Sequence, residues 1–313
     1  MSKFSYSRIN SGLDAPDLTV NIAGVCLRNP VIAASGTFGY GREYAGLLDI
    51  AGLGGICTKG LSFEPRPGNE GCRLYETPSG LLNSIGLENP GISAFLEREL
   101  PALRKLGPAV IANLSGSTIE EYVKGAELLN ASAIDIIELN ISCPNVKAGG
   151  MAFGLDAETA AVVTRAVRKA ARAKPLMVKL SPNAPDLAAV AAACAKAGAD
   201  ALSLVNTFKG MAVDIHKRKP VFENVTAGLS GPAIRPIALR MVWEICRNIR
   251  IPVVGMGGIA TAKDALEFLL AGAAAVQVGS ATFARPPAMN EIIRGIEDYM
   301  KTYGFLELGE LKI

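Results

Sequence analysis

The segment Asn140-Ile-Ser-Cys-Pro-Asn145 sets one thiol between two carboxamides, where the apolar run Ile134-Asp-Ile-Ile-Glu-Leu139 gives way to a loop. Cys143 can give or take a proton there, and Asn140 and Asn145 can each read a donor and an acceptor edge. A single Cys in a Pro turn is also what an inert buried thiol looks like, so the case for chemistry rests on the company it keeps. The residues that follow, 146–154, are rich enough in glycine to move.

Other candidates are spread along the chain. Thr58-Lys59, Asn113, Lys179 and Asn206-Thr207 each stand at the end of an apolar run, and Gly255-Met-Gly-Gly258 and Gly279-Ser280 end two more. Glycine allows a backbone to come close to an anion and point its N–H groups at it. A solvated strand-end lysine and a tight glycine turn are the ordinary alternatives. His216, the only histidine, lies in the charged stretch Asp214-Ile-His-Lys-Arg-Lys219 and reads as a solvated loop residue. Nucleophile–histidine chemistry would have to use it, and with His216 set aside Cys143 is the candidate acid–base group.

These residues need elements that bring them together. The runs Val31–Ser35, Gly55–Lys59, Val110–Leu114, Ile134–Ile141, Leu176–Ser181, Ala201–Asn206, Val253–Gly257 and Ala275–Gly279 are apolar without alternation, as parallel strands buried on both faces are. Between them, Ile92–Leu106, Ile119–Leu129, Ala157–Ala173, Leu187–Ala197, Ile234–Asn248, Ala262–Ala271 and Met289–Tyr303 carry helical spacing. Asp156, Asp186 and Thr261 suit N-caps, and Gly198 and Gly272 suit C-terminal stops. The fold expected is α/β, a TIM (β/α)8 barrel, as one domain over residues 1–313. An N-terminal hairpin at Leu18–Asn29 would plug its bottom, and long loops would cover its C-terminal face. A doubly wound sheet is the alternative, but Gly36-Thr-Phe-Gly39 does not fit its glycine fingerprint well.

In a barrel, polar strand ends converge at one mouth, and the loops after strands seven and eight commonly cradle a phosphate. Two lysines facing such a cradle suit an electron-rich ring that becomes anionic on reduction. Flavin mononucleotide (FMN) has one phosphate and one flat redox ring, and fits. The long excursion 60–91 exceeds the roughly 12–15 residues of an ordinary loop. Leu81, Leu82, Ile85 and Leu87 can anchor it, while Asn83 and the backbone near Gly86 can grip a small polar ligand.

Composition narrows the class. The chain has 313 residues, 50% hydrophobic and 19% charged, and its net charge of +3 is dispersed, so no basic block argues for nucleic acid. The six cysteines form no C-x-x-C pair, which argues against a metal cage or iron–sulfur cluster on this chain. Cys194 and Cys246 fall in helical stretches and read as core. No signal peptide opens the sequence, and the longest uncharged run, Phe268–Ala284, falls short of the roughly 20 apolar residues of a membrane span. A cytoplasmic, membrane-free protein with reduced thiols is expected.

Taken together, Asn140-Ile-Ser-Cys-Pro-Asn-Val146, Thr58-Lys59, Asn83-Ser-Ile-Gly-Leu87 and Gly255-Met-Gly-Gly-Ile259 resemble the dihydroorotate dehydrogenase family, from about Leu18 to Tyr303 and in the family's order. Membrane-associated class 2 members carry Ser where this chain has Cys143. Glu64-Pro-Arg-Pro-Gly-Asn69, Glu76-Thr-Pro-Ser-Gly80 and Gly228-Leu-Ser-Gly-Pro-Ala-Ile234 look like class 1B, the NAD-linked type. The resemblance implies an FMN-containing catalytic subunit. Its partner would be an iron–sulfur flavoprotein carrying FAD and a [2Fe–2S] cluster, in a heterotetramer built on a homodimer core. It further implies Cys143 as the base, with Lys59, Asn83, Ile85, Gly86, Leu87, Asn140, Asn145, Asn206 and Thr207 at the substrate. Lys59 and Asn140 also match FMN positions, as do Ser35, Gly36, Thr58, Asn113, Lys179, Val205, Gly231, Gly257, Gly258, Gly279 and Ser280.

The implied reaction oxidises dihydroorotate to orotate, with NAD⁺ as the final acceptor. A flavin barrel of the dihydropyrimidine dehydrogenase kind, with a similar Ser-Cys-Pro turn, is a rival. A flavin-free phosphate-binding isomerase or lyase and a barrel kept only as a binding scaffold are the others.

Overall fold

The computed structural model describes residues 15–142 and 150–311, so Cys143 and Asn145 lie outside the described residues. Eight short parallel strands run in chain order: β1 (Val31–Ala33), β2 (Gly55–Cys57), β3 (Ala109–Leu114), β4 (Ile136–Asn140), β5 (Leu176–Lys179), β6 (Ala201–Leu204), β7 (Val253–Met256) and β8 (Ala275–Val278). Each pairs with the next, and β8 returns to β1 through Val276↔Val31 and Gln277↔Ile32, closing the barrel. All eight apolar runs are therefore strands, and the open doubly wound sheet is set aside. The strands mostly end sooner than the runs do, because their last polar residues form the rim.

Local chemistry fixes the helices. Asp156, Asp186 and Thr261 accept the N–H groups of Thr159, Ala189 and Asp264, and Asp264 answers Thr261 in a reciprocal capping box. Gly198 and Gly272 end their helices at φ of 104° and 105°. The continuous helix expected over Ile92–Leu106 is interrupted by a wide turn at Phe95–Glu99. Pro101 has no N–H to return to the preceding turn, which accounts for the break in the ladder. Gly150–Leu155 is also helical, against the expectation of a glycine-rich mobile stretch. Gly154 serves packing there, because a Cβ on it would sit 2.2 Å from the Ile141 carbonyl oxygen. Cys194 is buried as expected, whereas Cys246 is only half-buried.

Inside the barrel, the two-residue period of the strands stacks side chains in layers. The bottom layer is apolar: Ile32, Cys57, Ile111, Ile136, Met177, Ala201, Val254 and Ala275 cluster with Ile22 and Leu27. Those last two belong to the antiparallel hairpin Val20–Ile22 and Val25–Leu27, which seals the N-terminal end as expected. Two residues further along each strand, the next layer holds Ala34, Lys59, Asn113, Glu138, Lys179, Ser203, Met256 and Gln277. Most of that layer is polar, although the strands read as apolar.

The excursion 60–91 is ordered by a partner the sequence did not suggest. Leu74–Thr77 and Gly80–Asn83 pair with each other, and the latter pairs with Thr226–Ser230, which pairs in turn with Phe208–Met211. Two loops, after β2 and after β6, thus merge into one antiparallel sheet that contributes to the cavity at the barrel mouth. Leu82 is buried in it with Phe222 and Ala227, while Leu81, Ile85 and Leu87 face the cavity instead of anchoring the loop. Among the described residues no helix is long and apolar enough to cross a membrane.

Leu27→Ala is expected to destabilise the chain by about 2–5 kcal/mol in urea unfolding, the range for a buried Leu truncation that leaves a cavity. A change below about 0.5 kcal/mol would show that the hairpin does not carry the barrel's lower core.

Candidate active site

A cavity of about 240 Å³ opens at the C-terminal ends of the strands. It gathers residues from most of the chain: Ser35, Gly36, Lys59, Asn83, Ile85, Gly86, Leu87, Asn140, Lys179, Val205, Asn206, Thr207, Gly231, Gly257, Gly258, Gly279 and Ser280. Every one of these was a sequence candidate. Thr58 and Asn113 are fully buried and stand behind the wall. Thr58 Oγ1 accepts the Asn113 N–H at 3.1 Å, and Asn113 Oδ1 accepts Asn140 Nδ2 at 3.1 Å. Cys143 and Asn145 lie outside the described residues, but Ser142, next to Cys143 in sequence, is fixed. Its N–H and hydroxyl donate to Asn140 Oδ1, and Asn206 Nδ2 donates to its Oγ at 2.9 Å.

The antiparallel sheet supplies the opposite wall. Asn83 Nδ2 donates to the Gly228 carbonyl at 3.2 Å, and Thr207 packs so close that a Cβ on Gly228 would lie 2.1 Å from its Oγ1. Gly86 and Leu87 follow with φ of 76° and 57°. A left-handed leucine is uncommon, and here it turns the backbone along the cavity. Lys59 Nζ stands 3.8 Å from Glu88, whose carboxylate is also held by Arg73 at 2.7 Å.

Beneath the cavity lies a residue that had no role in the sequence reading. Glu138 is completely buried. Its Oε1 accepts Ser203 Oγ at 2.8 Å and Gln277 Nε2 at 2.7 Å. Its Oε2 accepts Asn113 Nδ2 at 2.6 Å and the Cys57 thiol at 3.1 Å, with Lys179 Nζ at 3.9 Å. Burial raises the Glu138 pKa, but the Lys179 ammonium and the donors from Gln277, Cys57 and Asn113 outweigh it and hold the carboxyl below its ordinary 4.5. Burial first, and the Glu138 charge second, push the Cys57 thiol well above 9.0, so it stays a donor.

This arrangement orients amides. A carboxylate only accepts, so Asn113 must turn its NH₂ down and its carbonyl toward Asn140. Asn140 must then donate to Asn113 and accept from Ser142. Glu138 and Gln277 were legible in principle, being two residues before Asn140 and Gly279 on the same inward faces.

The cavity suits a flat polar ring with an anionic tail. Gln277 Oε1 is a buried acceptor without a partner among the described residues. At the rim, Gly257 and Gly258 have φ of 127° and 71°, and a Cβ on Gly258 would meet the Gly231 carbonyl oxygen at 2.7 Å. A Cβ on Gly279 would touch nothing closer than 3.5 Å, so protein packing does not demand glycine there and close approach by a ligand explains it better. The Ser280 hydroxyl makes no capping bond to the turn it precedes.

Glu138→Ala is expected to cost about 3–5 kcal/mol in urea unfolding, because it leaves the Lys179 charge buried without its counter-ion. With Glu138→Gln as the reference, the sign follows from the depressed folded pKa. The wild-type charge contributes fully above the ordinary value of 4.5 and is lost as pH falls through the lower folded pKa. A stability difference that stays constant down to about pH 2 would show that Glu138 is not ionised in the fold.

Comparison with known proteins shows the family of this chain. The model of the family described as dihydroorotate dehydrogenase matches residues 17–300. The chain is similar to the protein named dihydroorotate dehydrogenase B (NAD(+)), catalytic subunit, of Petrotoga mobilis, at 56% identity over 296 residues, covering 95% of this chain and 98% of the relative. It is 54% identical over 297 residues to the protein of that name from Pelobacter propionicus, covering 95% and 97%. The Geobacter sulfurreducens protein of that name is 53% identical over 300 residues, covering 96% and 98%.

Proposed function

The chain belongs to the dihydroorotate dehydrogenase family, and from that premise we propose that it oxidises dihydroorotate to orotate in pyrimidine biosynthesis, as the catalytic subunit of an NAD-linked enzyme. The observation that carries the reading is the convergence of Lys59, Lys179 and four amide or hydroxyl side chains, Asn83, Asn140, Asn206 and Thr207, on one cavity. Identity of 53–56% over nearly the whole chain to proteins named dihydroorotate dehydrogenase B favours this reading over the dihydropyrimidine dehydrogenase, isomerase and scaffold alternatives. The chain would act as one barrel unit over residues 1–313, in the cytoplasm.

FMN, when bound, supplies the acceptor for the hydride that leaves ring carbon 6 of the substrate. Its phosphate would be held by the backbone at Gly257, Gly258 and Gly279 with Ser280 and Gly231. Its ring would rest near Ser35, Gly36, Val205 and Lys179, with Thr58 and Asn113 behind. Lys179 brings a buried ammonium to that ring, and Glu138 keeps the ammonium paired when no extra negative charge is present.

The remaining residues prepare the substrate. Lys59 would favour its carboxylate. Asn83, Asn140, Asn145, Asn206 and Thr207 would match the amide edges of the pyrimidine, and Ile85, Gly86 and Leu87 would cover it. Cys143 would take the proton from ring carbon 5, which the adjacent carbonyl acidifies. A thiol with a pKa near 8.5 is only partly thiolate at neutral pH. The partner would be an iron–sulfur flavoprotein with FAD and a [2Fe–2S] cluster, joined to a homodimer of this chain.

Anaerobic addition of dihydroorotate to the flavin-loaded protein is expected to bleach its visible absorption, and dihydrouracil is expected to leave it unchanged. The bleaching rate should rise with pH toward about 8.5. Cys143→Ala should lose most of that rate and Cys143→Ser should keep part of it. Equal rates in all three proteins would remove Cys143 from the base role, and bleaching by dihydrouracil alone would replace the substrate.

A further inference from the structure

Gln277 sits on β8 in the polar layer and lines the floor of the cavity, yet it is only 1% exposed. Its Nε2 donates to Glu138 Oε1 at 2.7 Å, while its Oε1 is buried with no hydrogen-bond partner among the described residues. A buried carbonyl without a donor bears its full desolvation cost, so a donor is expected from whatever fills the cavity that Gln277 lines. The amide cannot relieve the cost by turning over. That would set its carbonyl against a carboxylate that only accepts and whose sites already face Ser203, Asn113 and Cys57.

The same carboxylate fixes what stands beside that acceptor. Lys179 Nζ lies 3.9 Å from Glu138 Oε2, so an ammonium donor and a carbonyl acceptor share one counter-group on the cavity floor. A donor next to an acceptor complements an imide edge, in which an N–H adjoins a carbonyl. The oxidised flavin ring has one N–H, at N3, between two carbonyls. The pyrimidine substrate also carries an imide edge. The residues matched to the substrate, Asn83 and Ile85 to Leu87, come from the antiparallel sheet and the turn that follows it, whereas Gln277 is on the strand that ends at Gly279-Ser280.

We propose that the Gln277 side-chain carbonyl is a flavin-binding acceptor that takes the ring N3–H, and that Glu138 is the positioning residue that holds it in that orientation. The proposal rests on the flavin reading above. It also accounts for a glutamine in an otherwise apolar strand, Ala275-Val-Gln-Val278.

The test is a titration of the flavin-free full chain, followed by quenching of flavin fluorescence. The wild type should bind FMN at least about tenfold more tightly than 3-methyl-FMN, which has no N3–H. Gln277→Met should bind FMN about tenfold more weakly than the wild type and discriminate between the two flavins by less than about threefold. Glu138→Gln lets the Gln277 amide turn over, so it should lose the same discrimination although Gln277 is intact. A purely structural role would not move that ratio. If variants fail to fold, FMN labelled with ¹⁵N at N3 and bound to the wild type should show a slowly exchanging N3–H in its nitrogen spectrum. Unchanged FMN affinity in Gln277→Met, equal discrimination in all three proteins, or a rapidly exchanging N3–H would overturn the proposal. Weakened orotate binding with unchanged FMN binding would reassign the acceptor to the substrate. A wild type that binds no FMN would remove the flavin reading itself, and this inference with it.

Discussion

One buried carboxylate organises the interior of this barrel. Removing an ion from water costs several kcal/mol even after relaxation, and Glu138 meets that cost with four hydrogen-bond donors and a nearby ammonium. The donors come from β2, β3, β6 and β8 and the ammonium from β5, so five strands turn side chains toward a single point. Because a carboxylate can only accept, it imposes a direction on every amide it touches. That direction passes through Asn113 and Asn140 to Ser142, the last residue described before Cys143. The chemistry assigned to the cavity depends on which edge each amide shows; Glu138 decides that from below for Asn113, Asn140 and Gln277, and the Gly228 carbonyl decides it for Asn83.

The second constraint acts from above. The barrel provides one wall of the cavity, but the facing wall is a sheet made from two loops that are far apart in sequence, paired through Leu82↔Leu229 and Asn83↔Gly228. The backbone ladder ties the segment carrying Asn83 to the segment that follows Thr207, so the two substrate-side groups keep a fixed spacing. Gly228 makes that spacing possible, since any side chain there would displace Thr207. The barrel floor above the carboxylate and the facing sheet leave a slot between them, lined by groups from both.

Much of this was legible in the chain. Eight unalternating apolar runs, the caps at Asp156, Asp186 and Thr261, and the plugging hairpin all followed from local rules, because hydrophobic period and capping act over a few residues. The strand-end residues of the cavity were legible too, since polar groups there have one place to converge in a closed parallel barrel, while Ile85, Leu87, Val205 and Gly231 were placed at the site only through the family resemblance. The helix at Gly150–Leu155, the break at Phe95–Glu99 and the half-exposure of Cys246 were not. Each depends on what packs against it, and the glycines near residue 150 look the same whether they loosen a loop or admit a close neighbour.

The sequence by itself determined the order and type of the barrel elements, the polar groups at their ends and the family to which those groups point. These are carried by patterns within single segments. Only the tertiary structure decided that the loops at 74–83 and 208–230 form one sheet. Only there do Glu138 and Gln277 matter, as second-layer residues under the recognised motifs. A hydrogen bond's direction depends on which donor and acceptor meet in space, and residues as far apart in the chain as Glu138 and Gln277, 139 positions, meet only when the barrel closes.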